Sequence, residues 1–202
     1  ILLKMTKKVR VKRMKSGMTD KFFIEIGSCD FDTLLPLAKN GWKGIFVEPI
    51  KELLHNLPDI EGCFYENCAV WDRNDTMTFK FYNPEWAEGW QRGVGSLSQM
   101  NNFNANPQWK ENELTRTVKV RTLDHLIEKY DVKRIDFLKI DIEGQEYRIL
   151  ENYSWKIVPN MIKVETRHWD TIEKGKLEEW IIKLNDKGYL TYSEKDDLYA
   201  IK

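Results

Sequence analysis

Residues 22–47 read in turn as a strand, a glycine turn, a helix and a second strand, and this succession leaves few folds open. FFIEI at 22–26 and KGIFV at 43–47 are short and apolar, as strands are. With the helix between them they form a βαβ unit, so we expect parallel strands and a right-handed connection. Gly27 lies in the turn, where backbone without a Cβ can pass close to a small ligand.

The alternation of strands and helices continues to the end of the chain. Further strands are predicted at 62–70, 77–82, 117–120, 135–140 and 161–165, with a closing hairpin at 190–192 and 198–201. Helices are predicted at 32–40, 49–57, 122–130, 145–152 and 171–186. This order predicts an α/β fold of three layers, in which helices cover a mostly parallel sheet with an antiparallel tail.

The length of 202 residues predicts one domain with a full hydrophobic core. The net charge of zero hides a basic head, because seven Lys and Arg residues and no acid precede Asp20. We interpret residues 1–20 as a basic linker or arm; the absence of aromatic side chains favours the linker over a nucleic-acid or membrane arm. Residues 21–202 are the predicted domain. Because the chain starts at Ile1, we expect it to be one part of a longer polypeptide.

The cysteine pattern and hydropathy bear on location. Cys29, Cys63 and Cys68 are an odd set without a CxxC pair, which is typical of reduced thiols in a cytoplasmic protein. No apolar run approaches the ~20 residues that span a bilayer, so we expect no membrane insertion.

Residues 83–113 lack regular periodicity and combine aromatic side chains with Asn, Gly, Pro and Gln. A loop of this length in a compact domain is usually functional, and we interpret it as a lid or substrate-binding insertion. Trp90 and Trp109 would stack on the C–H face of a sugar, and Ser96 and Ser98 would hydrogen-bond its hydroxyls. The alternative is that these side chains only pack the loop onto the sheet.

Acidic residues follow several predicted strands. Ligands of open α/β sheets bind at the carboxyl ends of the strands, so these residues are expected at one edge. Glu48 ends the second strand, where an acid accepts the ribose hydroxyls of a nucleotide; the alternative is a carboxylate at a helix N-terminus. The first turn has no GxGxxG pattern, so a nucleoside without a pyrophosphate is favoured, which suggests S-adenosylmethionine.

The predicted strand at 135–140 and the turn and helix that follow it contain DFLKIDIEGQEYRIL at 136–150. Here the sequence resembles the FkbM family of S-adenosylmethionine-dependent methyltransferases, whose pattern is close to LKIDIEGxExxxL. The resemblance extends to FIEIGS, VEP, NCAVWD and VKVRTLDHLI in the same order. The first turn departs from it, with EIGSC where the family usually has a string like DVGAN.

The resemblance implies a class I methyltransferase fold, a Rossmann-like sheet of seven strands with the last antiparallel. It implies that the methionine end of S-adenosylmethionine lies on Glu25, Gly27 and Ser28. The ribose would lie on Glu48, and the adenine beside Cys68, Ala69 and Val70. Family members typically methylate hydroxyl oxygens of sugars or other small natural products, so the implied partner is a small-molecule or glycan acceptor.

Methyl transfer to a hydroxyl requires alignment of donor and acceptor and removal of a proton. Asp141 is the first candidate for the base, although it could instead cap the following helix. A carboxylate pair, Asp141 and Glu165, would alternatively hold Mg²⁺ or Mn²⁺ and lower the pKa of the hydroxyl. The complete set of candidate catalytic residues is Asp141, Glu143, Glu165 and His168, of which His168 is also explained as a surface histidine.

Two other functions fit parts of the sequence. An RNA ribose methyltransferase would use Lys139 together with Asp141 and the basic head, but it requires a basic groove, whereas residues 20–202 are acidic overall. We therefore expect no nucleic-acid partner. A non-catalytic module with the same fold would only bind a partner.

Overall fold

The computed structural model describes residues 20–31, 33–97 and 107–202. The predicted basic arm, except Asp20, and the substrate candidate Ser98 lie outside the described residues. Trp109 is described by its backbone alone.

The strands of the described ranges follow the predicted order closely. They are β1 (Phe22–Ile26), β2 (Lys43–Val47), β3 (Cys63–Glu66), β4 (Ala69–Val70), β5 (Asp75–Tyr82), β6 (Gly95–Ser96), β7 (Glu113–Arg121), β8 (Phe137–Ile140), β9 (Met161–Glu165), β10 (Leu190–Glu194) and β11 (Asp197–Ile201). The α-helices are α1 (Leu35–Lys39), α2 (Lys51–Asn56), α3 (Pro107–Glu111), α4 (Leu123–Lys129), α5 (Glu146–Asn152), α6 (Trp169–Ile172) and α7 (Lys176–Asp186), and a 3₁₀ helix covers Gly89–Gly93.

Seven strands form a mixed sheet in the order β10-β11-β9-β8-β1-β2-β3. The five strands from β9 to β3 pair in parallel, as the βαβ pattern predicted. The closing hairpin is also confirmed, and β11 runs antiparallel to both neighbours. It lies between β9 and β10, so the last strand of the chain is inside the sheet instead of at its edge.

Apolar side chains cover both faces of this sheet. On one face Ile24 and Ile26 pack in a buried cluster with residues of α4, α5 and α7. On the other face Phe23 packs with Phe46 and with residues of α1 and α2. The period-2 alternation of β1 therefore buries both of its faces, and Glu25 is a fully buried charge on the Phe23 side.

Three predictions about the elements are wrong. The strand predicted at 62–70 is two strands, because Asn67 turns the chain by donating to the carbonyls of Glu48 and Pro49. After this turn β4 pairs with β7, in a second sheet of order β4-β7-β5-β6. The insertion at 83–113 is not wholly irregular, since it contains the 3₁₀ helix, β6 and α3. The helix predicted at 171–186 is interrupted at Gly175, where φ is +80°.

Candidate active site

The first turn packs directly against the end of β8. Gly27 has φ of +76°, and a Cβ built on it would lie 1.7 Å from the carbonyl oxygen of Asp141. The sequence analysis attributed this glycine to the close approach of a ligand. In the structure, the atom that leaves no room for a side chain is a backbone oxygen of the protein itself. The N–H groups of Gly27 and Ser28 both donate to the carbonyl of Val47. The turn is therefore held by both neighbouring strands.

Glu48 joins the first turn to the start of α2. Its Oε2 accepts from the N–H of Cys29 at 2.9 Å, and its Oε1 accepts from the N–H of Ile50 at 2.8 Å. Each carboxylate oxygen has a second lone-pair direction, so these bonds leave acceptor capacity for hydroxyl groups. Burial raises the pKa of Glu48 to about 7. Both interpretations of Glu48 are compatible with this geometry, since it binds a helix N-terminus and also lines a cavity.

A cleft beside the first turn brings together most of the predicted cofactor residues. Its empty volume is about 450 Å³, and Trp71, Phe79 and Leu97 add apolar wall to it. The Oγ of Ser28 is buried and has no hydrogen-bond partner among the described residues. The predicted cofactor residues that line the cleft are Gly27, Glu48, Cys68, Ala69 and Val70. We call this space the nucleoside cleft.

A second cavity, of about 660 Å³, also adjoins the first turn. One carboxylate oxygen from each of Asp141, Glu143 and Glu165 lies within 4.8 Å of the others. This cavity, which we call the acid cavity, shares three lining residues with the nucleoside cleft, namely Gly27, Gly93 and Asp141. Asp141 is therefore the one predicted catalytic residue that faces both spaces.

The electrostatics of the acid cavity follow from burial and like charge. Desolvation, followed by repulsion from Asp141 and Glu143, raises the pKa of Glu165 to about 9. Desolvation and Asp141 raise the pKa of Glu143 to about 7. Three carboxylates this close do not all ionise at neutral pH unless a cation joins them. Without a bound cation, the three carboxylates would therefore share at least one proton at neutral pH.

His168 lies at the border of this cluster. Its Nε2 is 3.9 Å from a carboxylate oxygen of Glu143. Burial and the charge of Arg167 lower the pKa of His168, so it is mainly neutral at pH 7. A neutral imidazole can accept a proton, which leaves its predicted role as a base untested.

Replacing Glu165 by Gln is expected to flatten the dependence of stability on pH. The folded protein holds the Glu165 proton more tightly than the unfolded chain, so this group's contribution is present below about pH 4.5 and is lost as pH rises to about 9. Urea unfolding of both proteins at pH 5 and pH 9, with EDTA present, measures the difference. Equal loss of stability between the two pH values in wild type and variant would contradict the raised pKa.

Glu146 was missed as a site residue, although it is the second acid of the EGxE string. It is fully buried, and its Oε1 accepts from the N–H groups of Ile142 and Gly144. Its Oε2 accepts from the indole N–H of Trp169 at 2.7 Å. These bonds fix the turn in which Glu143 has φ of +63°. They thereby hold the backbone that carries Asp141 and Glu143 in place.

Lys139, which the sequence placed only in the alternative RNA methyltransferase site, lines the acid cavity, and so do Arg167 and Phe31, which were not placed in the predicted site. The signal for Lys139 was a lysine in the otherwise apolar string FLKI. No local sequence pattern marked Arg167 or Phe31, because Arg167 lies on a turn after β9 and Phe31 lies on the loop before α1.

The insertion contributes to the acid cavity through its 3₁₀ helix. Trp90, which is 59% exposed, lines the cavity. Arg92 forms an ion pair with Asp30 and lies over the ring of Phe31, which anchors the 3₁₀ helix on the loop after the first turn. Ser96 is buried in β6 and does not line either space. The structure thus places Trp90 beside the predicted acids, but not Ser96.

The fold is that of a methyltransferase-like α/β domain, and both spaces lie at the carboxyl ends of its parallel strands, where ligands of such sheets bind. The profile of the methyltransferase FkbM domain matches residues 24–191, and the chain belongs to the FkbM methyltransferase family. The resemblance seen in the sequence is confirmed. No curated protein and no solved structure matches the chain. None of the helices in the described ranges is long and apolar enough to cross a membrane.

Proposed function

We propose that the protein is an S-adenosylmethionine-dependent O-methyltransferase acting on a hydroxyl of a sugar, glycan or related small molecule. The observation that carries the proposal is the contact between the nucleoside cleft and the acid cavity at Gly27, Gly93 and Asp141. A donor in one space and an acceptor in the other would meet at Asp141. Helices on both faces of the sheet support a Rossmann-like, three-layer arrangement for this site.

The nucleoside cleft fits the cofactor chemically. Glu48 offers carboxylate lone pairs to ribose hydroxyls, and Cys68, Ala69 and Val70 form an apolar wall for adenine. The Oγ of Ser28 is buried and Ser28 lines neither space, so its proposed contact with the cofactor rests on the sequence resemblance alone. When bound, S-adenosylmethionine supplies a methyl group on a sulfonium, which is already activated for displacement.

The proposed task of the protein is then to orient the acceptor and take up its proton. Asp141 is the proposed base because it faces both spaces. The alternative role is that of a helix cap, although the residue at the N-cap position of α5 is Gln145. Glu143, whose pKa is about 7, and His168 are the nearby groups that could receive the proton next.

A divalent cation would change this step. The sequence proposed Asp141 and Glu165 as ligands, and the structure adds Glu143 to the cluster. Hard cations such as Mg²⁺ and Mn²⁺ prefer such oxygen ligands and lower the pKa of a bound hydroxyl. If this route operates, EDTA abolishes methyl transfer and added Mg²⁺ or Mn²⁺ restores it. Unchanged transfer in EDTA would remove the metal from the mechanism and leave the carboxylate base.

On the acceptor side we propose stacking of a sugar ring on Trp90, next to the carboxylates of the same cavity. Trp109 and Ser98 stay proposed acceptor residues of the insertion at 83–113, whereas the buried Ser96 lines neither space and is no longer proposed. We further propose residues 21–202 as the methyltransferase domain, and a cytoplasmic location, which the three free thiols support.

The experiment is transfer of tritiated methyl from S-adenosylmethionine to a panel of monosaccharides, glycans and RNAs. We expect label on a sugar hydroxyl, and a lower affinity for that acceptor in Trp90→Ala. Transfer to RNA alone would favour the ribose methyltransferase, for which a groove near Pro49 contains Lys51, Arg116, Lys119 and Lys129, with the acids Glu52 and Glu66. No transfer and no cofactor binding in calorimetry would leave the binding module.

A further inference from the structure

An ion pair joins the insertion at 83–113 to the loop after the first turn. Arg92, in the 3₁₀ helix, pairs with Asp30, whose side chain is only 7% exposed, and the guanidinium carbon lies 6.0 Å from the ring centroid of Phe31. The Asp30 carboxylate also accepts from the side-chain amide of Asn56, at the end of α2, at 2.9 Å. One carboxylate thus links three segments that are distant in sequence.

Both partners of this ion pair are close in sequence to residues that line the two spaces. On the insertion side, Trp90 lines the acid cavity and Gly93 lines both spaces. On the loop side, Cys29 lines the acid cavity, and its N–H donates to Glu48, which lines the nucleoside cleft. The ion pair therefore lies beside the region where the proposed donor and acceptor meet.

The 3₁₀ helix packs closely on the loop at Gly93. A Cβ on this residue would lie 3.3 Å from the ring of Phe31 and 3.4 Å from the Sγ of Cys29. The sheet gives this segment little support, because β6 pairs with β5 over only two residue pairs. The position of the insertion over the acid cavity thus depends strongly on its contacts with the loop, and the ion pair is the charged contact among them.

We propose that Arg92 is a positioning residue for methyl transfer, which holds the insertion on Asp30 so that an acceptor in the acid cavity is aligned with the methyl donor. This inference rests on the proposed function and deepens it, because it gives the insertion a role in alignment. Arg92 lines neither space, so it acts through Trp90 and Gly93. Transfer between two bound molecules is sensitive to such positions, since a displacement of about 1 Å can cost roughly 100-fold in rate.

The test is single-turnover transfer of tritiated methyl by Arg92→Met to whichever monosaccharide, glycan or RNA the wild type labels most strongly. We expect the rate per bound cofactor to fall by roughly 10- to 100-fold. The affinity for S-adenosylmethionine, measured by calorimetry, should equal that of the wild type. Arg92→Lys should recover part of the rate, because an ammonium also pairs with a carboxylate. A purely structural role would reduce the folded fraction and leave the rate per bound cofactor unchanged.

Two further variants protect the test against misfolding. Arg92→Met leaves the Asp30 carboxylate buried without its cation, so the double variant Asp30→Asn/Arg92→Met replaces the pair by neutral groups. It should show the same reduced rate, because both changes remove one interaction. Arg134→Met is the matched control, since Arg134 pairs with Asp136, whose side chain is 6% exposed, and neither residue lines the two spaces. Its rate per bound cofactor should equal that of the wild type.

Three results would overturn the inference: a wild-type rate per bound cofactor in Arg92→Met, a wild-type rate in the double variant, or an equal loss of rate in Arg134→Met. The proposed function survives all three, because the wild type still transfers methyl. A wild type that transfers no methyl to any acceptor of the panel overturns the proposed function and this inference together.

Discussion

Asp141→Asn is expected to abolish methyl transfer while S-adenosylmethionine still binds. The amide has nearly the shape of the carboxylate but cannot accept a proton, so turnover should fall by roughly 10²- to 10⁴-fold. Asp141 faces both the nucleoside cleft and the acid cavity, which is why we place the largest effect on this residue. Single-turnover transfer measures the chemical step, and calorimetry measures cofactor affinity, which should change by only a few-fold.

The controls for Asp141→Asn separate three explanations. Asp186→Asn changes an exposed aspartate at the end of α7 and should transfer methyl at the wild-type rate. If Glu143→Gln loses activity and Asp141→Asn retains it, the base is Glu143. If excess Mg²⁺ restores Asp141→Asn, the aspartate acts as a metal ligand and the assignment as a base is wrong.

Gly27→Ala is expected to reduce stability and to prevent cofactor binding. The left-handed backbone at φ +76° and the overlap of the new Cβ with the Asp141 carbonyl together cost about 2–5 kcal/mol. For a domain of this size the melting temperature should fall by roughly 5–15 °C. Relief of the overlap would push β8 away from the first turn, where both spaces meet, so S-adenosylmethionine affinity should be lost as well.

Gly175→Ala is the matched control for this substitution. Gly175 has φ of +80°, almost the same as Gly27, but a Cβ there would meet nothing within 4 Å. Its loss of stability should be limited to the conformational term of about 1–2 kcal/mol, and cofactor binding should be normal. Equal melting temperatures for the two variants, measured by calorimetry, would show that the Asp141 contact has no energetic role.

Much of the site was visible in short segments of sequence. Gly27 and Glu48 each follow a strand, and a strand is recognised from its own residues. The parallel register then brought the ends of β1, β2 and β8 to one edge, as expected. Trp90 was singled out for its place in a long aromatic insertion, and it lines the acid cavity, while its role in binding an acceptor stays a prediction.

The missed features depend on contacts between distant segments. β5 and β7 pair from Asp75↔Val120 to Tyr82↔Glu113, across the whole insertion, and no local pattern specifies that partner. The division of residues 62–70 into β3 and β4 has the same origin, since β4 leaves the main sheet to pair with β7. Arg167 and Phe31 belong to loops, whose side-chain directions follow from the surrounding packing.

Most of the alternating strands and helices, the family and the acidic edge could be predicted from local patterns, because hydrophobic period, glycine turns and the KIDIEG string are properties of short segments. Three features became visible in the folded molecule: Gly27 is required by the Asp141 carbonyl, Glu146 holds the turn after β8, and Lys139 lines the acid cavity. The first and third facts depend on distances between segments that are far apart in sequence, and the second on the burial of Glu146 against Trp169. Packing sets such distances, and residue pattern does not encode them.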